Sequence, residues 1–340
     1  MYVPDQDAGN TVSVISGSTV VSNVLLNSVF ETDPGLITNS SNVGYMYTVN
    51  TTGGIFVLSG TSIAAKITSQ MPLSSPGSAI SYNSKTGWTY ILNGGYYASG
   101  CSNPSITMLS GISSVQTIPL ASSSTATAVY AMTSDPSNGY TYFGYNNNYY
   151  IYSGTSLVAS GTVPRDSNQA GGIKSAVYDP VNGNVYFSVY NFTTSKGYLA
   201  IFSGSSLANT IALGSAASAP ISGVNPSTGD IYVSEGSTLA VVSGSNNLII
   251  GTLPIAAYWA PVYDPSNGYM YVEGGSSQNQ VYVVNGNSLI TTLNLPGSYS
   301  FIDYGNGGCG NLMPTMAYNP SNGHMYAPIG GSPPGVAMFS

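Results

Sequence analysis

Apolar residues recur along the chain in short runs rich in Val, Ile, Leu and Tyr, and each run ends in a cluster of Gly, Pro, Asn or Ser. That is the rhythm of strands and tight turns, and no segment shows a helical period with capping residues. The stretch around Gly268 displays the unit. Val262 and Tyr263 end one strand, and Pro265 brings the fixed φ of a turn's second position. Gly268 accepts a positive φ, and Tyr269 to Val272 alternate as the returning strand. Aligned on that glycine, the hairpin returns at Gly44, Gly87, Gly139, Gly183, Gly229 and Gly323. A tyrosine stands three residues after each one: Tyr47, Tyr90, Tyr142, Tyr186, Tyr232, Tyr271 and Tyr326. Equivalence across all copies predicts one buried place, packed against the neighbouring repeat with the hydroxyl bonded at its edge.

A second turn follows each hairpin. Apolar strands end in Ser-Gly or Asn-Gly at Gly17, Gly60, Gly111, Gly154, Gly204, Gly244 and Gly286, and another apolar stretch comes after. One repeat therefore holds four strands, A and B around the Pro-Gly hairpin and C and D around the Ser-Gly turn. The hairpin glycines lie about 46 residues apart on average, so 340 residues hold about 7.4 repeats. Four antiparallel strands at this period are the signature of a propeller blade. The expected fold is all-β, a seven-bladed β-propeller of four-stranded antiparallel blades; the alternative of eight blades calls for a longer chain. Residues 1–340 form a single propeller on this reading. Its ring is closed by the N-terminal strand Thr19 to Leu26, which completes the last blade and leaves no seam to fray.

The stretch Asn10-Thr11-Val12-Ser13-Val14-Ile15 and the recurring Asp-Pro-x-x-Gly-x-x-Tyr-Val hairpin resemble the YVTN-type β-propeller repeats of archaeal and bacterial surface-layer proteins. The resemblance covers nearly the whole chain and departs where the family carries Asp, since Ser-Gly stands there. It implies a propeller in an exported, surface-associated setting and implies no catalytic residue.

Composition narrows the function. Charged residues are 5% of the chain, against about 25% in an average soluble domain. Ser, Thr, Asn, Gly and 28 tyrosines must hydrate the surface instead. Such a surface changes little as pH falls, which fits an acidic or glycosylated exterior and an extracellular or cell-surface location. Lys66, Lys85, Arg165, Lys174 and Lys196 form no patch able to neutralise a run of phosphates, so nucleic acid is excluded as a partner. No apolar run is long enough to span a bilayer. Met1–Pro4 parallels Met325–Pro328 and the chain stops one residue short of a Ser-Gly glycine. That is the pattern expected of a processed piece, with any leader or anchor outside it.

Strand alternation puts the uniform A–B and C–D turns at one end and the variable B–C and D–A loops at the other, where a scaffold would carry its binding face. The binding candidates there are Tyr96, Tyr97, Tyr190, Phe192, Tyr258, Trp259, Tyr299 and Tyr304, whose flat faces suit sugars or a protein surface. Cys101 and Cys309 sit in long Gly-rich loops of that same face and are expected to form a disulfide in an oxidising exterior. Asn39, Asn50 and Asn191 open N-x-S/T sequons and are the candidate glycosylation sites. The lone histidine, His324, occupies a turn position, the carboxylates that depart from the repeat are scattered, and no His or Cys cluster has ligand spacing. No enzyme activity, no metal and no cofactor are expected. Two functions remain: an exported structural or adhesive module, contacting itself, other envelope proteins or glycans in an envelope, sheath or filament of an archaeal cell, and a soluble propeller that binds a glycan or small molecule on its loop-rich face.

Overall fold

The computed structural model describes residues 2–5, 11–16, 19–25, 38–40, 45–49, 54–68, 79–93, 105–120, 130–163, 171–191, 194–215, 220–274, 280–295, 300–301, 316–319, 322–330 and 335–339. Among them there is no helix, and every strand pairing is antiparallel. Seven four-stranded sheets, at residues 38–68, 79–119, 130–162, 171–215, 221–253, 262–294 and 300–339, are the seven blades of an all-β propeller. Six of them run A-B-C-D in chain order. In the seventh, strand A comes in two pieces, Ser300–Phe301 and Ala317–Asn319, both paired with His324–Gly330, which is paired in turn with Gly335–Phe339.

The N-terminus departs from expectation. Thr19–Leu25 does not join the strands of the last blade; it pairs with Thr11–Ser16, and that strand pairs with Tyr2–Asp5, in a separate three-stranded sheet. Ser16 and Thr19 are register partners, so the pairing is local, at a far smaller entropic cost than pairing with a strand from the other end of the chain. Val12, Val14 and Val24 of this sheet pack on Phe56 and Leu58 of the first blade, so it stacks there as a partial repeat of strands B, C and D.

The A–B hairpins are built by local chemistry. The amide of each glycine at positions 87, 139, 183, 229, 268 and 323 donates back to the carbonyl four residues earlier at 2.8–3.0 Å. These glycines have φ between 71° and 82°, a region where a Cβ is strained. The residue that accepts is Asp or Asn, and its side chain caps the turn. Asp135, Asp179 and Asp264 accept the amides of Ser137, Val181 and Ser266 at 2.8 Å, and Asn225 accepts that of Ser227 at 2.9 Å.

The C–D hairpins share a feature that no alternation reveals. Each D strand carries a β-bulge beyond its turn, where one residue has no partner on strand C: Ala64, Val115, Val158, Ala208, Ile250 and Ile290, with Val21 the equivalent in the N-terminal sheet. All seven are exposed. The fifth blade also has a longer C–D turn. There Asn247, not Gly244, takes the positive φ, at 58°. Gly244 is a glycine for space: a Cβ would lie 2.1 Å from the Gly229 carbonyl oxygen and 2.7 Å from the Asp179 carboxylate.

Contacts divide the chain into two compact units, one built on Met1–Thr162 and one on Val163–Asn306 with Leu312–Ser340, and the division falls between blades. Within each unit the core is a series of layers between adjacent sheets. Tyr47, Ile55 and Val57 meet Ile80, Ile91 and Leu109 between the first and second blades. Tyr186, Leu199 and Ile201 meet Ile231, Val233 and Val242 between the fourth and fifth.

The seven repeated tyrosines lie in these layers, none more than 4% exposed. Tyr47 and Tyr90 reach across to the next blade and donate to the Gly111 and Gly154 carbonyls of its C–D turn, at 3.0 and 3.1 Å. Tyr186 donates to Asn247 Oδ1 at 2.7 Å, beside an Asn182 Nδ2 bond to the Gly244 carbonyl, also 2.7 Å. Tyr232 points to the matching Gly286 carbonyl but meets no hydrogen-bond partner among the described residues. Burial, with the Asp230 carboxylate nearby, pushes its pKa up to about 12.

Candidate functional site

The site is described best at the loop end of the fifth and sixth blades, where strand B finishes and strand A begins. The fifth blade's strand B, Ile231–Ser234, runs into Glu235 and Gly236, and the crossover to the sixth blade returns past it. Ser234 Oγ donates to the Trp259 carbonyl at 2.6 Å and the Gly236 amide to the Ala257 carbonyl at 2.7 Å. These two bonds hold the stretch Ala257-Tyr258-Trp259 in place. Trp259 is turned inward, 6% exposed, with no partner for its indole Nε1 among the described residues. Tyr258 is turned outward, 40% exposed.

Two carboxyl groups border this stretch. Glu235 is buried; its Oε2 accepts Thr238 Oγ1 at 3.2 Å, and its Oε1 has no partner among the described residues. Burial raises its pKa, and the Thr238 bond offsets only part of the rise. Glu273 ends the sixth blade's strand B, Tyr269–Glu273, is fully buried, and is pushed by burial well above the usual carboxylate range. At the same end of the fourth blade, Lys174 stands at the bulge of strand A, where the register shifts between Ile173 and Ser175, and burial lowers its pKa to about 7. All three charges are thus withdrawn from the surface and weakened. Among the described residues at this end, the Tyr258 ring is exposed, as is Lys196 at the start of the fourth blade's strand C; an exposed aromatic ring suits recognition of a polar surface.

Of the eight expected aromatic candidates, Tyr258 lies at the surface, and Trp259 and Tyr190 do not. Tyr190 sits in the fourth blade's strand B, Asn184–Asn191, which has sheet neighbours on both edges and buries every residue from Val185 to Asn191. Position at a strand end did not overcome that enclosure. Tyr96, Tyr97, Phe192, Tyr299 and Tyr304 lie outside the described residues, as do Cys101, Cys309 and Asn50. Asn39 belongs to the first blade's strand A, Thr38–Ser40. Asn191 is buried, and its Oδ1 accepts the Thr194 amide at 3.2 Å. Sequence reasoning missed Lys174, Glu235 and Glu273 as buried groups. Their only signal was departure from the repeat, which does not say which way a side chain turns.

No family model and no curated protein matches the sequence. The likeness to YVTN repeats therefore rests on the residues that carry it. Solved structures are similar in fold. Dihydro-haem d1 dehydrogenase NirN, in complex with DHE, aligns with a TM-score of 0.68 at 10% identity over 99% of this chain and 70% of its own. BamB from Moraxella catarrhalis aligns with a TM-score of 0.64 at 13% identity over 99% of this chain and 95% of its own. The WD40 β-propeller domain of Doa1 gives 0.52 at 12% identity, over 92% and 94%. At these identities the likeness is one of fold.

Proposed function

We propose that the chain is an interaction propeller of a cell exterior, a structural or adhesive module that holds copies of itself, other envelope proteins or their glycans. One observation carries this: the outermost strand of blade after blade exposes an apolar side chain at the same bulge, on a chain with 5% charged residues. A monomer that stayed alone in solution would gain solubility by placing charge at those edges, as edge strands commonly do. The buried Glu235 and Glu273 support an acidic setting, because protonation relieves their burial. The scaffold is read as non-enzymatic; His324 serves its turn, its amide donating to Asn322 Oδ1 at 3.2 Å.

Negative-stain imaging and sedimentation of the purified chain, at acidic and neutral pH, test the proposal. Ordered multimers are expected. A monomer under all conditions that binds glycans through the face around Tyr258 would instead establish the second reading, a soluble ligand-binding propeller, which the exposure of that ring favours.

A further inference from the structure

From Ile231 to Phe301 the chain contains three charged residues, Glu235, Asp264 and Glu273, and all three are buried. From strand B of the fifth blade to the end of the sixth, no charged side chain is therefore exposed; the fifth blade's one partly exposed charge, Asp230, sits in its A–B hairpin, off the two D strands. On the same blades the exposed aliphatics are densest. Leu248, Ile249 and Ile250 of the fifth blade and Leu289 and Ile290 of the sixth are between 41% and 61% exposed. The two sets are joined: Asn287 Nδ2, in the sixth blade's turn, donates to the Ile250 carbonyl at 3.3 Å. A Cβ at Gly251 would lie 2.6 Å from Asn287 Cβ, so glycine is what lets the turn settle on the neighbouring strand. Both strands involved, Ile249–Leu253 and Ser288–Asn294, are edges of their sheets.

We infer that this patch is where a second copy of the chain packs. Roughly half of five large aliphatic side chains is on the order of a few hundred Å², the size at which an exposed apolar patch marks an interface. A stable contact takes ~800 Å² per partner, so the Ser, Thr and Asn residues around the aliphatics would supply its polar rim. The absence of charge selects the occupant. A charged partner would gain no ion pair here, and an anionic lipid surface would find no cation between Ile231 and Phe301. The chain's own patch is equally apolar and uncharged, and a two-fold axis brings such a surface against itself without repulsion. This inference rests on the assembly function proposed above and names the surface that performs it.

The test is sedimentation of the whole chain and of Ile250→Lys and Leu289→Glu variants over a wide concentration range, with Leu157→Lys as a control. Leu157 is equally exposed but lies in the third blade. Circular-dichroism melts verify that each variant folds. Self-association weakened roughly tenfold or more by each patch substitution, and unchanged in the control, is the expected result. Association that persists in both patch variants overturns this surface and leaves the assembly function standing. Loss in all three variants overturns it too, since the rims in general would then be responsible. A wild-type monomer at every concentration overturns both readings. A wild-type monomer that co-sediments with phosphatidylcholine vesicles, while the patch variants do not, assigns the patch to a lipid surface and likewise overturns the inference.

Discussion

The same substitution should have opposite consequences in two blades. Tyr90 and Tyr232 hold equivalent positions, three residues past the hairpin glycine, and both are fully buried. The Tyr90 hydroxyl donates to the Gly154 carbonyl of the next blade at 3.1 Å. Tyr90→Phe removes that bond and strands the carbonyl, which costs roughly 1–2 kcal/mol. The Tyr232 hydroxyl is buried without a partner among the described residues. It lies near the Gly286 carbonyl and the Asn225 side chain without meeting either in hydrogen-bond geometry, so Tyr232→Phe should be neutral or stabilise by about 1 kcal/mol. Either residue changed to Ala should lose about 3–5 kcal/mol, the cost of emptying an aromatic site in an inter-blade layer. Denaturant titrations followed by the fluorescence of Trp88 and Trp259 supply the comparison, with the slope checked so that a shifted midpoint reports stability alone. Alkali gives an independent readout. The unfolded tyrosine ionises near pH 10 and the folded Tyr232 near pH 12, so between them the folded chain keeps a proton that the unfolded chain has shed. Stability then falls as pH rises through that window, and Tyr232→Phe should reduce the fall. Equal losses for Tyr90→Phe and Tyr232→Phe would refute the reasoning, since the two sites would then share one bonding state.

Four further outcomes follow from the packing. Gly223→Ala would put a Cβ 2.0 Å from the Pro261 carbonyl oxygen, a backbone atom that cannot swing away; it should lose roughly 3 kcal/mol or fail to fold. Gly268→Ala, with φ of 80° and open space around it, should lose only about 1–2 kcal/mol in the same titration. Lys174, with a folded pKa of about 7 against 10.5 when exposed, is deprotonated in the fold over a range where the unfolded chain holds the proton. Stability should therefore rise with pH from 7 to 10.5, by up to roughly 5 kcal/mol, and Lys174→Met should flatten that rise in a pH series of melts. Glu235 and Glu273 have folded pKa values above the usual 4.5, so above that pH the folded chain holds protons that the unfolded chain releases. Acidifying from neutral toward pH 4.5 should raise Tm, and a Glu235→Gln, Glu273→Gln double variant should lose much of that gain.

The sequence by itself determined what short-range chemistry controls. The Asp or Asn at the start of the six described A–B hairpins, the glycine four residues on with its positive φ, and the tyrosine three residues later were legible because each is decided within a few residues of itself. Repeating them at a fixed period also determined the four-stranded blade, since an amphipathic hairpin pair can bury its faces only against another like it. Tertiary structure decided everything that depends on which strand lies beside which. Val115, Ile250 and Ile290 are apolar, yet each stands at a bulge on the outermost strand and is exposed, since no further strand of its sheet covers that edge. Tyr258 and Trp259 are adjacent and chemically alike, and in a crossover held by bonds at Ala257, Tyr258 and Trp259 one ring turns out and the other in. Gly244 looks like the other Ser-Gly turns but is fixed by the approach of Gly229 and Asp179, while Asn247 takes the turn's φ. Lys174, Glu235 and Glu273 interrupt the repeat as charged residues would on any surface. They are buried all the same, and burial of a charged group is a property of the packed fold that no local pattern encodes.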